Sequence, residues 1–238
     1  MDNSEAFPSP SRRSLAKLLA LLPSAAASAT PALNPGAAEA APAAQPAYVP
    51  SFFNAAEWKF LVAACDRLIP QDEIGPGAVE LGVPEFLDRH MQTPYAAGDI
   101  WYMQGPFVQA PREFGYQGRL VLRDILRVGI RGVERHCAQA YSNRSFAELE
   151  HAQQEEVLKG LEGGHVQIEE VPARDFFSYL LSEVRNGYFA DPRHGGNRGM
   201  GAWKAIGYPG MRAEYLDWVE VRDRPYPLPA VDLSGRRA

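Results

Sequence analysis

Residues 120–141 carry Leu122, Ile125, Leu126, Gly129, Val133, Cys137 and Ala140 at spacings of three and four. That period draws one apolar stripe along a helix of about six turns, and such a stripe has to be buried against other elements. The same period recurs on both sides of it. Asn54 and Glu57 form a capping box ahead of Phe60, Leu61, Ala64, Cys65 and Leu68, and Pro70 stops that run. Residues 78–91 carry Val79, Val83, Phe86 and Leu87, which Gly82 and Pro84 divide into a short and a longer helix. Ser145 and Glu148 repeat the capping box and open a helix through Val157, Leu158 and Leu161 that ends at Gly163 and Gly164. Pro172 opens another, with Phe176, Phe177, Leu180, Leu181 and Val184 inward, which Gly187 closes. No alternating strand pattern competes and no internal repeat is present. The expected fold is therefore all-α, an irregular helical domain with residues 120–141 as its central helix. Gly129 and Gly132 lower helix propensity there, and predict that another backbone passes close.

The connections are unusual. Residues 94–118 place Tyr95, Trp101, Tyr102, Phe107, Phe114 and Tyr116 among glycines and prolines, which predicts an irregular aromatic excursion with at most one helical turn. Residues 190–210 hold six glycines and two prolines around Arg193, Asn197, Arg198, Trp203 and Tyr208. This composition disfavours helix and strand alike, so a long loop is expected. Loops of that length in compact domains are mostly functional or packed against something. Residues 211–220 can form one more short helix, and the Pro-Tyr-Pro-Leu-Pro run at 225–229 starts an extended tail.

Ahead of the helices, Arg12 and Arg13 precede a short apolar run and small-residue Ala-x-Ala sites. Charged, apolar and small-residue regions in that order read as an export signal over residues 1–29, and the paired arginines resemble a twin-arginine signal. Residues 30–50 are an alanine- and proline-rich linker, and residues 51–238 form the helical domain with its tail. The twin-arginine route carries folded cargo, which hints at a cofactor-bearing companion. A net charge of −5 argues against a nucleic-acid partner, since no clustered basic face is available to neutralise phosphates. No apolar run reaches the roughly 18 residues of a spanning helix, so membrane association is expected only through a partner.

Catalytic signatures are missing. The sequence has no G-x-S-x-G elbow, no H-E-x-x-H, no P-loop and no C-x-x-C-H. Glycines 195 to 201 follow a helix rather than a strand, so they make no dinucleotide fingerprint. Glu148-x-x-His151 has di-iron spacing, but Glu162-x-x-His165, its only counterpart, straddles two glycines. No metal and no catalytic residue are expected. In an exported protein Cys65 and Cys137 can form a disulfide between the first helix and the central one, and their apolar faces equally suit two buried free thiols.

Arg67-Leu-Ile-Pro-Gln-Asp, Pro76 to Val83 with Phe86-Leu-Asp, Phe189-Ala-Asp-Pro, Gly195-Gly-Asn, and Trp203 with Ile206-Gly-Tyr-Pro-Gly stand in an order and spacing that resemble the gluconate 2-dehydrogenase subunit 3 family. The resemblance spans residues 52–229. It implies a small subunit of a membrane-bound flavoprotein dehydrogenase, with FAD on the large subunit and haem c on a multihaem cytochrome subunit. It further implies that this chain stabilises the flavoprotein, escorts it through the twin-arginine translocase, and resides on the periplasmic side of the inner membrane. The extended tail looks closer to the gluconate-oxidising members than to the shorter glucose-oxidising ones, and fructose and 2-ketogluconate stay open as substrates. The other reading of the same residues is a stand-alone exported helical, metal-binding protein, against which the lack of a paired ligand set speaks. The resemblance transfers no catalytic or cofactor-binding residue. Exposed glycine-rich backbone and aromatics suit an interface, so Trp101, Arg193, Asn197, Trp203 and Tyr208 are the expected contacts with the partner, unless they pack on the chain's own helices.

Overall fold

The computed structural model describes residues 48–108 and 110–238, so the paired arginines and most of the linker lie outside the described residues. Among these residues there are seven α-helices: α1 Ala55–Leu68, α2 Val83–His90, α3 Pro94–Ala97, α4 Leu122–Ala140, α5 His151–Gly163, α6 Ala173–Phe189 and α7 Gly201–Ala205. Among the described residues there is no strand, only isolated bridges at Val231, and the fold is all-α as its periodicities predict. No helix there is long and apolar enough to cross a membrane.

The hub is α6 rather than the longer α4. It packs against α1, α2, α4, α5 and α7. Its buried face carries Phe176, Phe177, Leu180, Glu183, Val184, Gly187 and Tyr188; α4 buries as many residues and keeps arginines 123, 127, 131 and 135 on its outer side. Helix α6 also runs through Gly187 to Phe189, because that glycine is a contact point and not a stop. A Cβ on it would fall 2.6 Å from Phe86 Cδ1. The α4 glycines admit side chains rather than a backbone. A Cβ on Gly129 would lie 1.9 Å from Phe176 Cδ2, and one on Gly132 would lie 2.6 Å from Ile168 Cγ2.

Both expected capping boxes form, but the second caps only a 3-10 turn, Phe146–Glu148. Helix α5 then starts afresh behind its own box, Glu150 with Gln153. Residues 78–82 are turns, so only one helix stands in that segment, with Pro84 in its first turn. The excursion contains α3 and the 3-10 turn Arg112–Phe114, and residues 211–220 yield only the turn Leu216–Trp218.

The domain is pinned at its start by Asp88 of α2. One carboxylate oxygen accepts the Tyr48 hydroxyl at 2.8 Å, the Ser51 amide at 2.8 Å and the Ser51 hydroxyl at 2.9 Å. The other accepts the Phe52 and Phe53 amides at 2.9 and 3.0 Å. Burial, the largest single influence, raises the Asp88 pKa, but these donors together carry it below the ordinary carboxylate value.

Candidate functional site

Residues 190–210 are ordered as two 3-10 turns, Pro192–His194 and Arg198–Met200, followed by α7. The glycines do not prevent regular structure; they let the segment lie against α6. Gly196 approaches so closely that its Cβ would sit 2.1 Å from the Gly187 carbonyl oxygen. Asn197, fully buried, donates to the Ala190 carbonyl at 3.0 Å and accepts the Ala202 amide at 2.9 Å. Trp203 is only 4% exposed, and its indole donates to the Phe189 carbonyl at 2.9 Å. These two residues spend their polar groups inside the chain. Arg198 reaches Glu85 of α2 at 2.9 Å, also within the chain. Arg193 and Tyr208 face solvent, and Trp101 is half-buried edge-on to Tyr95.

The tail returns onto this segment. Met211 donates to the Val231 carbonyl at 2.7 Å, Val231 to the Pro209 carbonyl at 3.2 Å, and Leu233 to Asp191 at 2.8 Å. Ala230 joins Met200 and Trp203 in a small second core. Gly210 makes the crossing possible, with φ at +77° and no room for a Cβ against Val231. Between the two crossings, Tyr226 stacks edgewise on Tyr215 and Trp218 and lies under the Arg212 guanidinium. That knot leaves Leu216, Val219 and Leu228 facing outward. Ile206, Tyr208 and Met211 are exposed too, as are Ile100, Tyr102, Val108 and Phe114 of the excursion.

A groove of about 1080 Å³ runs between the excursion and α6, bordered by Tyr95, Phe107, Tyr116 and Tyr179. Glu183 is among the residues that line it and is 3% exposed. Its Oε1 accepts from Asn186 at 3.1 Å, and its Oε2 is 3.3 Å from His90 Nε2 without making a hydrogen bond. Burial pushes the Glu183 carboxyl up to about 7. His90, stacked on Phe86 and flanked by Tyr95, is held below its usual value by burial and then by His194. Sequence reading missed this pair, although a glutamate three residues past Leu180 within an apolar stripe was a legible signal.

Among the described residues no group of three or more histidine, cysteine or acidic side chains is placed to hold a metal. Glu148 belongs to its 3-10 turn, where it accepts the Ser145 amide and hydroxyl, while His151 begins α5, so the two do not share a helical face. Cys65 and Cys137 are buried free thiols. Burial raises both, Cys137 to about 12.

The family model described as Gluconate 2-dehydrogenase subunit 3 matches residues 55–210, from the first residue of α1 to the glycine where the tail crosses back. The chain belongs to this family. Comparison with curated proteins and with solved structures found no match. As a subunit 3 family member, the chain has its place in a multisubunit dehydrogenase.

Proposed function

We propose that this chain is the non-catalytic small subunit of a periplasm-facing, FAD-dependent gluconate 2-dehydrogenase. It binds the flavoprotein subunit, stabilises it, and brings it folded through the twin-arginine translocase. The observation that carries the reading is the family match across residues 55–210. The paired Arg12 and Arg13 and the exposed apolar residues of the tail support it. FAD sits on the large subunit and haem c on the cytochrome subunit, which hands electrons onward; this chain reaches the membrane through them.

The test replaces Arg12 and Arg13 by lysine in the native host and follows the flavoprotein by fractionation together with gluconate-dependent dye reduction. Retention of the flavoprotein in the cytoplasm, with loss of dye reduction at the membrane, is the expected result. Unchanged export would overturn the escort role. Flavin and haem co-purifying with the wild-type chain, but reduced by fructose, glucose or 2-ketogluconate instead, would keep the role and move the substrate.

A further inference from the structure

Glu183 is a buried carboxyl group to which the chain supplies one hydrogen bond, from Asn186 to Oε1. Its Oε2, fully out of solvent, receives no hydrogen bond, and its nearest basic neighbour is the half-buried His90 imidazole. Burying a carboxylate with one neutral donor and no fixed cation is costly, and sites that retain one commonly use it for binding or chemistry. The neighbouring charges do not relieve it. Arg174 donates twice to the Gly163 carbonyl, Glu170 is paired with Arg131, and Arg119 is exposed on the opposite wall of the groove. The walls near Glu183 are aromatic, and a cation is attracted to the faces of such rings.

We propose that Glu183 is the receptor for one basic side chain, arginine or lysine, that the flavoprotein subunit inserts into this groove. The inference rests on the subunit reading above and specifies its chemistry. An inserted ammonium or guanidinium meets the carboxylate from the groove side, near the tyrosine rings that border it, whereas an acidic insert meets a like charge. The groove thereby discriminates among partners by charge.

The experiment measures the affinity of purified flavoprotein subunit for the full chain and two variants, E183Q and S182R, with thermal melting of each chain alone. Gln keeps the shape and removes the charge. Ser182 is exposed at the groove that Glu183 also lines, so an arginine there puts the chain's own cation into that groove without entering the core. The expected result is a loss of affinity on the order of 30-fold for each, as for other truncated buried charge pairs, with no fall in melting temperature. Wild-type affinity in both variants overturns the inference while leaving the subunit role intact. If E183Q does not fold, S182R alone decides. Failure of the wild-type chain to bind the flavoprotein overturns both readings.

Discussion

At the scale of single residues, two buried carboxylates act with opposite sign. Asp88 is held below its ordinary value in the folded chain, so its contribution is present at neutral pH and is lost as pH falls through that depressed value. Replacing it with asparagine puts an amide NH₂ against donors that need an acceptor, and should cost on the order of 3 kcal/mol in urea unfolding at pH 7. A cost below about 1 kcal/mol would show that the start of the domain is held by something else. Glu183 behaves in reverse. Its ordinary value of 4.5 rises to about 7 on folding, so the folded chain binds the extra proton and stability falls as pH climbs through that window. The interval corresponds to roughly 3 kcal/mol at neutral pH. His90, held low, favours the folded chain as pH rises, and Glu134, raised by burial, opposes it, so the informative quantity is the difference between wild type and E183Q. The variant should be the more stable above pH 7, and the two should converge near pH 4.5. Parallel curves across the window would mean that Glu183 is neutralised within the chain.

At the scale of elements, the helices were legible because their stripes are regular, and their packing was not, because it depends on which small residue meets which large one. Gly129 reads as a weak point in a helix; only the structure shows the Phe176 ring occupying the place of its side chain. Gly129→Ala should therefore destabilise by about 2 kcal/mol despite the gain in helix propensity, since overpacking outweighs it. Phe176→Leu in the same chain should recover part of the loss, and independent, additive effects in urea melts would refute the contact. The 190–210 segment misled for a related reason. A glycine count forecasts freedom, but Gly196 is there so that two backbones can touch, and that contact turns Asn197 and Trp203 inward. Trp203→Ala should cost about 3–5 kcal/mol in the isolated chain, while Tyr208→Ala should cost less than about 1. The reverse ranking would mean that the indole is not buried in solution. Asp88 and Glu183 could have been singled out as polar residues within apolar stripes. Their partners, 35 to 40 residues back for Asp88 and a different helix for Glu183, could not.

At the scale of the whole molecule, the chain spends many polar contacts to brace a tail that contributes little to the main core. The main-chain bonds of Met211 and Val231, the Leu233 bond to Asp191 and the Tyr215, Trp218 and Tyr226 rings hold residues 211–233 in one shape. Their effect is to present Leu216 at 78% exposure and Val219 at 65%. Bracing an apolar surface lowers the ordering cost of binding, which suits the partner-holding role proposed above. A double substitution of Leu216 and Val219 by glutamate should change the stability of the isolated chain by no more than about 0.5 kcal/mol, because neither side chain is buried. In the assembled complex the same change buries two charges against an apolar surface, so flavoprotein co-purifying with the tagged chain should fall about tenfold or more. Matching losses in melting temperature and complex yield would instead show that the tail serves the fold of this chain. Undiminished yield from a stable variant would move the interface to the groove above Glu183 or to the exposed aromatics of the excursion.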